Sequence, residues 1–152
     1  MDVELEFFLL RVGVALIAGL FIGFEREVQN KNAGLKTNAL VAIGAAVFVL
    51  ASLKFEGMED VDITRGLGQV VTGIGFIGAG VILHKGTSIR GLTTAATVWC
   101  SAAAGCLAGI GMYMEVATVV VLILFVNTVL ARVNVWINKN FRTSDQVEED
   151  ES

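Results

Sequence analysis

Ionisable and hydrogen-bonding side chains are scarce inside the apolar runs of this chain, so those present define the chemistry open to it. Arg11 lies about one turn into the first run. At 100° per residue it shares a helix face with Ala15, Ala18, Ile22, Glu25 and Arg26. A charge within a span must face protein or water and find a partner; a charge near a helix end can instead snorkel to the outer interface. Glu25-Arg26-Glu27 closes the same run. Three adjacent charges cannot all point one way, so either one turns inward or the trio forms a self-compensating interfacial cap. A third set is the stripe Arg90, Thr94, Thr97 and Ser101, continued by Gly105 and Ala108, with Leu92, Trp99 and Cys106 opposite. Such hydroxyls can line an ion path or tie helices together, and the second use is the commoner. Thr93 or Thr94 is also a candidate helix cap. Gln69 and Thr72 are candidates for bonds between helices, and Asn127, seven before Asn134, is deep enough to need a partner.

Other chemistries find less support. His84 is the only histidine and stands in a turn, so no Ser/His/Asp or Cys/His set can be assembled, and no enzymatic activity or bound cofactor is expected. Cys100 and Cys106, six apart in one apolar run, read as buried thiols rather than a disulfide. Glu56, Glu59, Asp60 and Asp62 cluster in one loop, where weak Mg²⁺ or Ca²⁺ association is conceivable. They lack the fixed ligand spacing of a dedicated site, and a solvated acidic loop is the plainer reading. Gly73, Gly75 and Gly78 satisfy G-x-G-x-x-G, but a dinucleotide loop needs a preceding strand and a later acid in a βαβ unit, and this motif sits in an apolar run.

The elements that position these residues are helical. The 152 residues are 55% hydrophobic and 17% charged, with a mean hydropathy of +0.72, where soluble domains are ~45–50% apolar and ~25% charged. The class is all-α: a polytopic transmembrane helix bundle. Five apolar segments run Phe7–Phe24, Thr37–Leu53, Leu67–Leu83, Leu92–Ile110 and Val116–Ile137, most near the short end of what spans a bilayer. With the N-terminus outside, Arg26, Lys31, Lys36, Lys85, Arg90, Arg132, Lys139 and Arg142 fall inside, against Lys54 and Arg65 outside. That bias obeys the positive-inside rule, giving five spans, N-terminus out and C-terminus in. The acidic N-terminus does not resemble a secretory signal. The transmembrane domain covers 1–142, and the acidic tail 143–152 is expected to be disordered. Seventeen glycines and no proline suit helices that approach closely. Gly73 and Gly80 share one face of the third segment, with Gly75 and Gly78 roughly opposite, which predicts a central helix touching two neighbours. Gly19-x-x-x-Gly23 and Gly105-x-x-x-Gly109 supply close-approach motifs for a second copy, a homo-oligomer with a dimer favoured.

Four stretches carry a resemblance: Gly19-Leu-Phe-Ile-Gly-Phe-Glu-Arg-Glu27, Ala33-Gly-Leu-Lys-Thr-Asn-Ala-Leu-Val-Ala-Ile-Gly-Ala-Ala46, Gln69 to Ile82, and Arg90-Gly-Leu-Thr-Thr-Ala-Ala-Thr-Val-Trp-Cys-Ser101. In this order they resemble the N-terminal membrane domain of the MgtC/SapB family, from about Leu10 to Tyr113. The resemblance implies a five-helix domain in the bacterial plasma (inner) membrane. Members are linked to growth under magnesium limitation and, in some pathogens, to survival in phagocytes. It adds Lys36, Thr37 and Asn38 to the candidate functional residues, beside Arg11, Glu25, Arg26, Glu27, Gln69, Arg90, Thr93, Thr94 and Asn127. MgtC-type members carry a soluble ACT-like domain after the membrane domain, whereas this sequence stops soon after the fifth segment. Thr93 stands where the virulence proteins have Asn. The implied role is a regulatory module acting on other membrane proteins, the ATP synthase among the candidates. The alternative is a transporter or channel for Mg²⁺ or a monovalent cation. The bilayer is the expected surroundings, and nucleic acid is not an expected partner.

Overall fold

The computed structural model describes residues 3–57, 62–85 and 88–141. Glu59, Asp60 and the tail 143–152 lie outside the described residues. The chain folds into α1 (Val3–Val28), α2 (Leu35–Leu53), α3 (Ile63–Val81), α4 (Leu92–Ile110) and α5 (Tyr113–Phe125). A π-helical turn (Val126–Leu130) joins α5 to α6 (Ala131–Phe141). Between α3 and α4, β1 (Leu83–Lys85) pairs antiparallel with β2 (Ser88–Arg90) in a short hairpin, with His84 opposite Ile89.

Four helical runs are long and apolar enough to cross a bilayer: Glu4–Val28, Leu35–Leu53, Leu92–Ile110 and Tyr113–Asn140. Alanines fill the centre. Ala15 and Ala18 of α1, Ala42 and Ala46 of α2, and Ala104 and Ala108 of α4 are all buried, with Val116, Val120 and Ile123 of α5 completing the cluster. Large apolar groups face outward instead, including Phe21, Phe48, Trp99 and Phe125. Water would penalise this distribution; a lipid solvent favours it, because small residues let backbones approach where no hydrophobic force acts between helices. The fold is an all-α membrane helix bundle.

Glycine is required where backbones meet. A Cβ on Gly19 would lie 2.6 Å from the Asn38 carbonyl oxygen, and one on Gly109 would lie 2.8 Å from that of Ala46. Gly23 meets Leu35 in the same way, and Gly105 presses on the Ala42 carbonyl. The motifs at 19/23 and 105/109 therefore join α1 and α4 to α2 within one chain. They are not free for a second copy, which corrects the expectation that they mediate oligomerisation. The central position is also reassigned. Gly73, Gly75 and Gly80 have nothing within 4 Å of a built Cβ, and Gly78 makes only an ordinary 3.7 Å contact with Ala95. α3 touches its neighbours through Ile74 and Val70, while Phe76 stands 85% exposed. Its glycines thin the helix without bringing a backbone against it; α2 and α4 form the centre.

Loop chemistry sets the helix ends. Asp62 caps α3, accepting from the Thr64 N–H at 2.9 Å and its hydroxyl at 2.6 Å, which holds its carboxyl below the ordinary range. α4 begins after Gly91 (φ +94°), pressed on the Val81 carbonyl, and no threonine side chain caps it. It ends at Gly111 (φ +97°). There the Gly111 N–H reaches Leu107 and Ala108, and the Met112 N–H returns to Leu107, a Schellman closure.

Candidate functional site: a buried polar cluster at one end of the bundle

The end of α1, the starts of α2 and α4, and the π turn converge at one end of the bundle. Helical phase explains which side chains enter. The face of α1 that buries Ala15, Ala18 and Ile22 delivers Arg26, only 3% exposed, into the interior. Glu25 is half-buried beside it, and Glu27 points outward. In α4 the repeat of Thr94, Thr97 and Ser101 lies on the buried face.

The bonds form a chain across four helices. Arg26 Nη2 donates to Thr94 Oγ1 at 2.7 Å. Asn127 Nδ2 donates to Glu25 Oε2 at 2.9 Å and lies 3.4 Å from Thr97 Oγ1. The Thr97 hydroxyl itself donates to the Thr93 carbonyl at 2.8 Å. Deeper, Ser101 Oγ donates to Asn38 Oδ1 at 2.7 Å. The Asn38 amide holds the loop before α2, donating to the Ala33 carbonyl and to that of Gly34 at 3.0 Å. Gln29 Nε2 reaches the Asn127 carbonyl at 3.4 Å, and Glu27 Oε2 accepts from the Leu35 N–H at 3.3 Å. Two buried atoms here have no partner, Arg26 Nε and Glu25 Oε1. Among the described residues Arg26 forms no ion pair; the bridge of Lys54 with Glu4, at 2.9 Å, lies at the opposite end. An open cavity of about 970 Å³ adjoins Arg26 and Asn127, walled further by Lys31, Thr93, Arg132 and Asn134.

Other candidates lie elsewhere. Arg11, at the far end, donates from Nη1 to the Gly109 carbonyl at 3.0 Å, so it has a protein partner. A cation there also complements the negative end of α4. Gln69 is exposed in an apolar groove of about 650 Å³ between α2 and α3. Thr72 returns its hydroxyl to Gly68 of its own helix at 2.9 Å rather than bonding another. Lys36 and Arg90 are exposed and Thr37 is half-buried; all three stand apart from the bonded chain. Leu92 and Trp99 face outward, whereas Cys106 packs against the cluster around Ile74 and Val98. Both cysteines are free. Among the described residues no group of three or more His, Cys, Asp or Glu could hold a metal ion.

Three features escaped the sequence reading. The partnership of Asn38 with Ser101 links residues 63 apart. Ala33 is left-handed (φ +56°), and a π turn surrounds Asn127. The buried asparagine beside a glycine loop was the available signal for the first.

The MgtC family model matches residues 12–136, which includes all four helices of the cluster. The chain belongs to the MgtC family. It is 51% identical over 118 residues to Protein MgtC of Brucella abortus, covering 78% of this chain and 48% of that protein. It is 43% identical over 132 residues to Protein MgtC of Salmonella typhimurium, covering 87% of this chain and 56% of that one. An uncharacterized protein of Synechocystis is 44% identical over 140 residues, 92% of this chain and 59% of its own length. The chain thus spans about half the length of the curated relatives it matches. No solved structure matches. Family and apolar helices together make this a membrane protein.

Proposed function

We propose that this MgtC-family protein is a regulatory module of the bacterial inner membrane, tied to magnesium limitation and ion homeostasis, that acts on other membrane proteins. One observation carries the reading. The hydroxyl stripe of α4, which could have lined an ion path, is buried and bonded to neighbouring helices through Arg26, Asn127 and Asn38. Its polarity is spent on holding the bundle together. Recognition then falls to outer surfaces, where α3 offers exposed Phe76 and the open glycines Gly73, Gly75 and Gly80. A neighbouring helix could approach closely there, in a second copy or in another membrane protein, with the ATP synthase one candidate. The module is non-enzymatic and carries no resident cofactor.

Five spans with the N-terminus outside fit the helix order. Gly66 near the start of α3 meets Ser52 near the end of α2, and the far end of α3 meets Gly91 at the start of α4. These contacts at both ends support reading α3 as the fifth span, beside the four runs that are long and apolar enough on their own. Purified protein in liposomes is expected to give no Mg²⁺, K⁺ or proton flux under a gradient, while crosslinking in native membranes captures partners other than itself. Robust flux would replace this reading with the transporter, and capture of self alone would remove the regulatory one.

A further inference from the structure

Arg26 is a guanidinium 3% exposed with one hydrogen bond, to Thr94, and an Nε without a partner. A buried cation lacking an ion pair is costly unless something supplies negative charge. Glu25 is close enough for its charge to act on Arg26, but it forms no ion pair with it: one oxygen accepts from Asn127 and the other is buried and unbonded. On its other side Arg26 reaches the cavity of about 970 Å³ between the end of α1, the start of α4 and the π turn with α6. Its wall carries two further cations, Lys31 and Arg132, the amides of Asn134 and Asn138 beside those of Gln29 and Asn127 already engaged within the cluster, and no carboxylate. Thr93 brings the first turn of α4 to the wall, and the cap of that helix, Gly91, has no side chain to occupy its free N–H groups. Three cations, amide donors and a helix N-terminus around one opening are complementary to an oxyanion.

We infer that this cavity binds a phosphate-class anion, carried by the headgroup of an acidic phospholipid or by a soluble phosphate, with Arg26 at its base and Lys31 and Arg132 at its rim. Basic pockets between membrane helices hold lipid headgroups by this chemistry. The open cavity, beside the long apolar outer face of α5 with Val121, Leu122 and Phe125 exposed, leaves room for acyl chains outside. The inference does not rest on the regulatory reading, so a flux or crosslinking result against that reading leaves it standing.

The test uses the full chain in nanodiscs of phosphatidylcholine, with or without phosphatidylglycerol. Native mass spectrometry reads the lipid retained, and thermal stability reads the response to added inorganic phosphate. Arg26→Gln also breaks the bond to Thr94 and is liable to unfold the chain, so the rim variant Lys31→Gln/Arg132→Gln is the main probe. Phosphatidylglycerol should be retained over phosphatidylcholine. The double variant should weaken that retention more than tenfold, at about fivefold per cation, with its melting point in phosphatidylcholine alone unchanged. Lys36→Gln, an exposed cation outside the cavity, should change retention less than twofold. If inorganic phosphate instead stabilises the protein, and the double variant abolishes that, the ligand is the soluble anion and the inference holds. If neither probe responds to the double variant, or Lys36→Gln weakens binding as much, only diffuse surface charge is acting and the inference is overturned.

Discussion

Replacing Asn38 by alanine tests the polar cluster most directly, because that side chain is fully buried and makes three bonds. Two of them, to Ala33 and Gly34, pin the loop joining α1 to α2; the third, from Ser101, joins α2 to α4. Bonds between helices in a bilayer average about 0.6 kcal/mol, and buried bonds elsewhere contribute about 0.5–1.5 kcal/mol. Three such bonds therefore place the loss at about 2–4 kcal/mol, before any cost for the space left behind. Some recovery is built in: the Gly34 carbonyl keeps the Asn38 backbone N–H at 3.2 Å, and Ser101 can fall back on the Thr97 carbonyl at 3.1 Å. That fallback makes Ser101→Ala the milder change, at about 1 kcal/mol. Reversible unfolding of the full chain in SDS-containing mixed micelles, followed by tryptophan fluorescence, measures both. The double variant should show a coupling of about 1 kcal/mol. A loss below about 0.5 kcal/mol for Asn38→Ala, or a coupling indistinguishable from zero, would refute the view that these buried groups hold the helices in register.

Four further outcomes follow from the same geometry. Gly105→Ala should cost several kcal/mol or abolish folding, because its Cβ meets the Ala42 carbonyl, while Gly73→Ala or Gly80→Ala should be neutral to stabilising by up to about 1 kcal/mol in the isolated chain; equal effects in the micelle assay would contradict the placement of α3 at the edge. Ala33→Gly should raise stability by about 1 kcal/mol by relieving a left-handed alanine, visible as a higher midpoint. Arg11→Gln should lower stability by about 1 kcal/mol through the loss of the Gly109 contact and of a cation at the end of α4, an effect that a purely lipid-facing side chain would not give. Asp62 should titrate below its ordinary value of 3.8, so its cap is in place above that value and is lost as pH falls through the lowered one; a carbon-13 titration of the carboxyl with a midpoint at or above 3.8 would count against the cap.

Much of the fold was legible because a bilayer enforces it. Runs of apolar residues without proline must become helices when no water is available to hydrogen-bond the backbone, and α1, α2, α4 and α5–α6 appear where those runs lie. The face of α1 from Arg11 through Ile22 to Arg26 and the stripe of α4 were equally readable, since 100° per residue decides phase without knowledge of the partner. Partners are another matter. Glycines at 73, 75, 78 and 80 look alike on paper to those at 19, 23, 105 and 109, yet only the second set meets a backbone. Which small-residue face is used depends on how the helices are ordered around one another, and spacing along one helix does not contain that. For the same reason Asn38 entered only as part of a family motif, although its side chain makes three bonds in the cluster.

The distribution of satisfied and unsatisfied groups within the cluster is informative in its own right. Toward the bundle interior, Ser101 bonds across to Asn38, while Thr97 and the Asn38 amide find acceptors at Thr93 of the same helix and at the loop before α2. Of the three buried atoms left over among the described residues, Arg11 Nε lies at the far end of the bundle and two belong to Glu25 and Arg26, neighbours on the last turns of α1. Buried orphans are rare enough in folded proteins to need a cause. The pair in the cluster sits where α1 ends, and where α5 widens into a π turn that sets Asn127 between Glu25, Thr97 and Gln29. Such turns recur at functional sites because the locally loosened ladder frees backbone acceptors for other bonds, and the Asn127 carbonyl accepts from Gln29. The cluster is thus closed where it must hold helices and incomplete where Arg26 faces a basic cavity, the pattern expected of a bundle whose structural polar bonds end at a binding site.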